Sequence, residues 1–267
     1  MCNKEIKFKL LYNWAIKNGF DYLATGHYAR VARSVPIHGR QGSPINRHAT
    51  LLRSTDEFKD QTYFIYNIKT DQLPHVLFPV GGMKKSAVRT LARKIKLPNS
   101  EKRESMGLCF VGRIRLKDFL EQKLKAKKGN IVDQNNNIVG KHQGLHNYTI
   151  GQRQGVNVGR SGPYYVFKKD LHRNILFVTN DAQDNRLLTK EVQLHSLNWI
   201  NPYKLPATSQ KLLSRYRHQG NLVPVMLTKI PNHNYRAIFK TPQKAIASGQ
   251  SLVLYHGKEC VGGGIIA

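Results

Sequence analysis

The sequence predicts an α/β region followed by a mainly β region. Helically spaced apolar residues run directly into a strand-like stretch near the amino-terminal end, which is half of an α/β unit. After Asn130 the pattern changes to short strands separated by turn residues, and from about Val192 it is typical of a small antiparallel barrel. A length of 267 residues fits one large domain or two to three small ones.

The first helix is predicted over Lys4 to Asn18, with Gly19 as its C-terminal cap. The stretch that follows, DYLATGHYARV, has the length and apolar content of a single core strand. Ligands of open α/β sheets bind beyond the carboxyl ends of strands, so Gly26 and His27 are predicted at the edge of a pocket. A lone histidine beside a strand is otherwise more often a satisfied core or rim residue.

The next segments add a loop and a strand. Arg33 to His48 is rich in Gly, Pro, Ser and Arg, so it is predicted to be an exposed loop insertion, and ATLLRS after it is a short strand. Phe58 to Ile68 then carries a polar triplet, Lys59-Asp60-Gln61, before an aromatic apolar run. Taken alone, the triplet could be a solvated turn.

An amphipathic helix follows the Gly81-Gly82 turn. Its predicted apolar face contains Val88, Leu91, Ala92 and Ile95, and Pro98 closes it. The double glycine is not a phosphate loop, because it lacks the required spacing and the Lys-Ser/Thr ending.

The remaining chain is predicted as one more helix and a series of strands. RLKDFLEQKLKAKKGN, from Arg115 to Asn130, is a short basic helix. NIVDQNNNIVGKHQG is a hairpin with an Asn-rich turn, and YYVFKKDLHRNILFV continues the strand pattern. The barrel strands include VPVMLTKI, YRAIFKT, SLVLYHG and VGGGII.

The composition indicates a polyanionic partner. There are 43 Lys and Arg against 16 Asp and Glu, a net charge of +27. The excess is dense from Lys84 to Lys128, with fifteen basic and four acidic residues. Such a surface neutralises phosphates without reading sequence, which points to nucleic acid. The alternative is a solvated basic surface on a protein from a basic compartment.

Cysteine usage and hydropathy exclude several classes of protein. Cys2, Cys109 and Cys260 are too few and too scattered for a disulfide framework or a CxxC metal site, so we predict a reducing compartment and no metal. Cys260, in a strand-like stretch, is predicted to be a buried thiol. No apolar run is long enough to span a bilayer, so no membrane association is expected.

Seven stretches together resemble the tRNA-specific 2-thiouridylase family, in the family's order and over nearly the whole chain. They are CNKEIKF, ATGHYAR, KDQTYF, LFPVGGM, ESMGLCFVG, YTIGQRQG and ASGQSLVLY. The resemblance implies the C-terminal part of an adenine-nucleotide α-hydrolase-like (PP-loop) α/β domain at 1–112, a central tRNA-binding domain at 113–183 and a C-terminal antiparallel β-barrel at 184–267.

The resemblance also implies a chemistry. ATP, with Mg²⁺, adenylates a uracil oxygen, and a cysteine persulfide then delivers sulfur to C2 of the wobble uridine of tRNA. Cys109 matches the family's persulfide cysteine, and Cys2 matches its partner, which resolves the carrier as a disulfide. Implied partners are tRNA and a cysteine desulfurase or sulfur-relay protein. The neighbouring Lys102, Arg103 and Arg113 would lower the pKa of a thiol at Cys109.

Further site residues are carried over by the same match. Gly26 falls where the family's backbone approaches ATP. Matches to tRNA contacts are His27, Lys59, Asp60, Gln61, Arg215, Tyr216 and Gln250. For the last three, the alternative is an ordinary strand surface.

The sequence departs from the family in one motif. It contains no SGGxDS loop, whose backbone amides would hold the ATP phosphates. We therefore expect a truncated member that is inactive alone, with unpaired strand edges and an exposed apolar face in its first hundred or so residues. A non-catalytic RNA-binding protein is the alternative. Three variants, ESMGLCFVG, SRYRHQGNLVP and GKECVGGG, are more similar to the mitochondrial eukaryotic branch, which implies a mitochondrial location, with the cytoplasm as the alternative.

Overall fold

The computed structural model describes residues 2–33, 49–102, 126–153, 155, 156, 158, 163–201, 209–231 and 234–267. The predicted loop insertion after Arg33, the basic helix after Arg115, except for its last five residues, and Cys109 lie outside these ranges. No helix in the described part is long and apolar enough to cross a membrane.

The first helical segment begins as a π-helix, Asn3–Leu11, and continues as α1, Tyr12–Lys17. Gly19 has a φ of +81°, a conformation that glycine adopts without steric cost, and the chain turns there. The predicted helix and its glycine cap are confirmed, except that the first half has π-helical hydrogen bonding.

The stretch predicted as one strand is two strands, β1 (Leu23–Ala24) and β2 (Ala29–Arg33). The single-strand prediction is wrong because the two halves have different partners. β2 pairs antiparallel with β3 (Ala49–Arg53), and β1 pairs parallel with a later strand, β4 (Val76–Leu77). Gly26 and His27 lie in the break between β1 and β2.

Two helices complete the amino-terminal region: α2 (Thr62–Ile65) and α3 (Lys85–Lys94), with a 3-10 turn at Leu73–His75 between them. The predicted amphipathic helix is confirmed as α3, but none of its residues is buried, and Leu91 is 47% exposed. Trp14 and Phe20, at the end of α1, are also more than half exposed. These are separate exposed apolar side chains, and the expected apolar face stays a prediction.

The central region is a four-stranded sheet with its own core. Its strands are β5 (Gly129–Val132), β6 (Ile138–His142), β7 (Tyr165–Asp170) and β8 (Ile175–Thr179), in the order β6-β5-β8-β7. The predicted hairpin with an Asn-rich turn is confirmed, with Asn136 at φ +66° in the turn. Ile131, Leu176 and Val178 are fully buried between the sheet and the segments that cover it.

The C-terminal region is the predicted antiparallel barrel. Its six strands are β9 (Leu188–Trp199), β10 (Ser209–Arg215), β11 (Val223–Ile230), β12 (Asn234–Lys244), β13 (Ser251–His256) and β14 (Glu259–Ile266). They pair in the order β13-β10-β11-β12-β9-β14, and a β13–β14 pair closes the ring. Closure leaves no free edge among these six strands, which protects them from pairing with other chains.

The amino-terminal region and the barrel share one core. β3 extends the barrel sheet by pairing Leu52 with Glu259 of β14, and the Arg53 amide donates to the Lys258 carbonyl over 2.8 Å. Cys260 and Tyr255 of the barrel pack in the same cluster as Phe8, Tyr66 and other amino-terminal residues. The Cys260 thiol is fully buried, as predicted, and burial raises its pKa. The two regions are therefore held in a fixed relative position.

Candidate functional site

Four segments that are far apart in the sequence meet on one side of the amino-terminal region. They contain most of the site residues predicted from the sequence: Cys2 with Asn3, Gly26 to Tyr28, Lys59 to Phe64, and Arg215 to His218. Hydrogen bonds join these segments to one another, some between two side chains and some between a side chain and the backbone.

His27 is buried and bonded through both ring nitrogens. Its Nδ1 lies 2.8 Å from Thr25 Oγ1, and its Nε2 lies 3.2 Å from Asn3 Oδ1. The Asn3 amide group donates to the Phe64 carbonyl over 3.1 Å, which leaves its Oδ1 as an acceptor. His27 Nε2 therefore carries the proton and donates to Asn3, while Nδ1 accepts from the Thr25 hydroxyl. Asn3 thus joins the residue after Cys2 to both His27 and α2.

The stability of the fold is expected to fall as the pH drops from 6.5 to 4, because of His27. Burial, and secondly the charge of Lys7, lower the pKa of His27 from 6.5 to about 4. In this window the unfolded chain binds a proton that the folded chain does not. The part of the free energy of unfolding that comes from keeping His27 neutral is fully present above pH 6.5 and is lost progressively toward pH 4. Its size is about 3 kcal/mol.

Urea denaturation across this pH range measures the effect. His27→Gln can retain both hydrogen bonds without titrating, so the free energy of unfolding should depend less on pH in this variant than in the wild type. His172→Gln, at an exposed position, is the matched control and should keep the wild-type dependence. The same pH dependence in His27→Gln and wild type would contradict the assignment to His27.

Gln61 joins the Lys59-Asp60-Gln61 triplet to Tyr28, the residue before β2. Its amide donates to the Tyr28 carbonyl over 2.8 Å, and its side-chain Oε1 accepts from the Tyr28 amide over 2.9 Å. These two bonds hold Gln61 beside His27. The side chain satisfies a backbone group of a buried residue, so it also has a structural role.

Asp60 is the centre of a buried ionic cluster between the amino-terminal region and the barrel. Its Oδ2 accepts from Arg215 Nη1 over 2.9 Å and from the Thr62 hydroxyl over 2.7 Å. Its Oδ1 accepts from the Ser54 amide over 3.1 Å, and Arg53 Nε lies 4.0 Å from Oδ2. Asp60 is 1% exposed and Arg215 is 4% exposed. In this structure the two side chains bind each other, and their role as direct tRNA contacts stays a prediction.

Lys59 and Tyr216 are more accessible members of the set. Lys59 is half-buried, and its Nζ lies 5.0 Å from the centre of the Phe58 ring. The Tyr216 hydroxyl donates to Gln243 Oε1 over 3.3 Å, and its carbonyl accepts from the Tyr63 hydroxyl over 3.2 Å. Both are partly exposed, and their role as tRNA contacts stays a prediction.

Gln250 lies at the turn before β13. Its Oε1 accepts from the Ala247 amide over 3.4 Å, next to Gly249 at φ +82°. The following residue, Ser251, accepts from the Tyr63 hydroxyl over 3.3 Å through its carbonyl. Gln250 is therefore at the border of the site, adjacent in sequence to a residue that contacts it.

Gly26 is exposed, and a Cβ built on it meets no atom within 4 Å. The backbone there is open to a close approach by a nucleotide, which fits its predicted role. The 267 residues contain no SGGxDS loop, so the resemblance assigns no residue of this sequence to the ATP phosphates. Among the described residues no group of three or more His, Cys, Asp or Glu side chains could hold a metal ion.

Cys2 lies at the start of the first helix and is partly exposed. It directly precedes Asn3, so its position is set by the bonds of Asn3 to His27 and Phe64. The proposed partner, Cys109, lies outside the part of the chain that the structure describes. Their pairing therefore stays a prediction.

Sequence reasoning missed several residues of this site: Asn3, Arg53, Phe64 and His218. Phe64 and His218 pack together with ring centroids 4.5 Å apart, and Arg53 completes the ionic cluster. No local pattern marks Asn3 or Arg53, because their partners are remote in sequence. Phe64 belongs to the aromatic apolar run after the triplet, which gave it no role in a site, and it is 44% exposed.

Comparison with known proteins agrees with the three regions. A family model described as tRNA methyl transferase HUP domain matches residues 1–113. The tRNA methyl transferase PRC-barrel domain matches residues 117–180, and the aminomethyltransferase beta-barrel domain matches residues 189–266. The chain therefore has a HUP-type α/β domain, a central PRC-barrel domain and a C-terminal antiparallel β-barrel, which confirms the predicted fold class.

Curated relatives align with the whole chain. A protein of Oceanobacillus iheyensis is 42% identical over 268 residues, with 100% of this chain and 69% of the relative covered. One of Lysinibacillus sphaericus is 39% identical over 267 residues, covering 100% and 68%. One of Buchnera aphidicola from Acyrthosiphon pisum is 38% identical over 272 residues, covering 100% and 71%. Each bears the name tRNA-specific 2-thiouridylase MnmA, and this chain belongs to that family.

Proposed function

We propose that this chain transfers sulfur from a persulfide on Cys109 to C2 of the wobble uridine of tRNA, in an ATP-dependent reaction. One observation carries the proposal: Asn3, directly after Cys2, is bonded to both His27 and the Phe64 carbonyl. Cys2, a predicted catalytic thiol, therefore directly precedes a residue that contacts both His27, a predicted tRNA contact, and Phe64, which is 61 positions from Asn3.

The proposed chemistry assigns a separate task to each thiol. ATP would supply the adenylate that converts the uracil O2 into a leaving group. The terminal sulfur of the Cys109 persulfide bonds to C2, and AMP departs with O2. The Cys2 thiolate attacks the inner sulfur, which breaks the S–S bond and leaves the transferred sulfur on C2. The products are 2-thiouridine and a Cys2–Cys109 disulfide, which a thiol reductant must reduce before the next cycle.

The charge of the chain supports a tRNA substrate. A net charge of +27 attracts a phosphate backbone over a distance and gives affinity that depends on salt. The uridine must leave its stack to react at C2, as in other enzymes that modify bases. A cysteine desulfurase or a sulfur-relay protein is the proposed persulfide donor.

Substituting either thiol is expected to abolish 2-thiouridine formation while leaving tRNA affinity within about twofold, because neither sulfur is needed for phosphate contacts. The variants are Cys2→Ser and Cys109→Ser, and the control is Cys260→Ala, which removes the third, buried thiol. Nucleosides from tRNA are analysed by mass spectrometry after incubation with ATP and a persulfide donor. Normal 2-thiouridine formation by Cys109→Ser would contradict the assignment of the sulfur carrier.

One observation favours a second candidate, a tRNA-binding protein without catalysis: the net charge of +27 gives affinity for phosphates without any SGGxDS loop. The assay is therefore also run with an added polypeptide that carries this loop from a relative. Salt-sensitive tRNA binding without any thiolation, even with this addition, would support the second candidate. Thiolation, with or without the addition, would support the first.

The mitochondrial type and location are part of the same proposal. The relatives named above are bacterial, so the proposal depends on the three sequence variants described earlier. Cell fractionation with an antibody against the chain tests it. Recovery in the cytosolic fraction would contradict the mitochondrial location.

A further inference from the structure

We propose that Phe58 and Phe64, with His218, form a stacking platform for unpaired nucleobases of a tRNA loop, beside the uridine that reacts. The proposal rests on the proposed function, because it assumes that tRNA binds to this face. It adds a binding surface to the predicted contacts, which act mainly through polar and charged groups.

Two aromatic rings at the site are exposed to solvent. Phe58 is 66% exposed and Phe64 is 44% exposed, and they flank the Lys59-Asp60-Gln61 triplet on both sides. Single exposed apolar side chains are common on protein surfaces. Phe64 contacts His218, and the Phe58 carbonyl accepts from the next residue, Gln219, so both phenylalanines border the same segment. Their exposed rings offer flat apolar surfaces to a ligand.

The Phe64 ring is held in place before any ligand binds. It packs against His218 in a tilted arrangement, with centroids 4.5 Å apart and an angle of 41° between the planes. Tyr63 contacts the edge of Phe64 at 5.5 Å and 82°. The Phe64 carbonyl accepts from Asn3, and the Phe58 carbonyl accepts from Gln219 over 3.4 Å. A fixed ring loses little conformational entropy when a base stacks on it.

The charges around the rings favour RNA over a protein partner. Lys59 Nζ lies 5.0 Å from the centre of the Phe58 ring, where it can contact the phosphate of a stacked nucleotide. Burial, and secondly the charge of Arg215, lower the pKa of His218, so the imidazole that supports Phe64 is uncharged at neutral pH. Rings bordered by positive charge are the arrangement by which proteins hold single-stranded nucleic acid without reading its sequence.

The position of the patch decides which part of the tRNA it meets. Phe64 is bonded through its carbonyl to Asn3, the neighbour of Cys2. If the reacting uridine lies at Cys2, the bases next to it in the loop are the ones within reach of Phe64 and His218. Stacking them would stabilise the open loop and would offset part of the cost of extruding the uridine.

Fluorescence of a tRNA anticodon stem-loop tests the platform. 2-Aminopurine is placed beside the reactive uridine, because stacking on an aromatic ring quenches it. Wild type is expected to quench the probe, and Phe58→Ala and Phe64→Ala to bind the stem-loop about 10-fold more weakly with less quenching. Phe64→Trp should restore both. The slope of affinity against salt should be unchanged in all variants, because no phosphate contact is lost.

The matched control is Phe20→Ala, which removes a ring that is 55% exposed but stacks on Trp14, outside the site. Equal affinity and quenching in wild type, Phe58→Ala and Phe64→Ala, together with normal thiolation, would overturn the platform alone. A wild-type chain that binds no stem-loop would overturn both the platform and the proposed function. Binding of an apolar peptide that competes with the stem-loop at Phe58 would overturn the choice of RNA as the ligand.

Discussion

Replacing Asp60 with asparagine is expected to lower the free energy of unfolding by about 3–5 kcal/mol. Asparagine has nearly the same shape, so the substitution removes the charge without opening a cavity. It leaves the guanidinium groups of Arg215 and Arg53, with 5% and 10% of their side chains exposed, without a buried carboxylate. The remaining acid near them, Glu57, is 3.4 Å from Arg53 but is 70% exposed, so it compensates only weakly.

Urea denaturation followed by circular dichroism measures this loss. The control is Asp71→Asn, at an exposed position, which should unfold like wild type. The double variant Asp60→Asn with Arg215→Met should recover part of the loss, because it removes the unpaired charge together with its partner. Because the cluster joins two regions, a separate early transition for the amino-terminal region is also expected. An Asp60→Asn variant as stable as wild type would mean that the cluster does not hold the regions together.

Replacing Gly81 with alanine is expected to destabilise the fold by about 3 kcal/mol, the upper end of the cost of overpacking. A Cβ at Gly81 would lie 1.5 Å from the Ala29 carbonyl oxygen and 2.5 Å from its carbon. These are backbone atoms of β2, so a side-chain rotation cannot relieve the contact. The Gly81 carbonyl also accepts from the Ser54 hydroxyl and the Thr55 amide, which resist a shift of the turn.

The neighbouring glycine provides a matched control. A Cβ at Gly82 meets no atom within 4 Å, so Gly82→Ala should change the free energy of unfolding by less than about 1 kcal/mol. Thermal unfolding of both variants tests the pair. A shift of β2 would also move His27, a predicted tRNA contact two residues before the strand. Gly81→Ala is therefore also expected to weaken tRNA binding. Equal melting temperatures for the two variants would show that β2 and the turn can move apart at little cost.

Local patterns in the sequence were sufficient for much of the fold. The spacing of Ile6, Leu10 and Trp14 predicted a helix that the structure contains, and Gly19 ended it. The turn residues between short apolar runs predicted the hairpin of β5 and β6 and the strands of the barrel. These signals are readable because helix spacing, glycine caps and turn residues act between neighbours along the chain.

The same local reading failed where the partner of a segment is distant. DYLATGHYARV has the composition of one strand, but β1 pairs with β4 and β2 pairs with β3, and the break between them forms at His27. For the polar triplet, the sequence left a solvated turn open as the alternative to a tRNA contact. In the structure Asp60 is buried because Arg215, 155 positions later, supplies the charge that makes its burial tolerable.

The sequence by itself determined the order of helices and strands, the basic charge, the family resemblance and which residues are candidates for the chemistry. Only the tertiary structure decided that Asn3, His27, Gln61 and Arg215 lie together and that Asp60 faces inward. The physical reason is the distance along the chain over which each interaction acts. Backbone propensity and apolar spacing act over a few residues, whereas burial of charge and aromatic stacking depend on which remote segments the fold brings into contact.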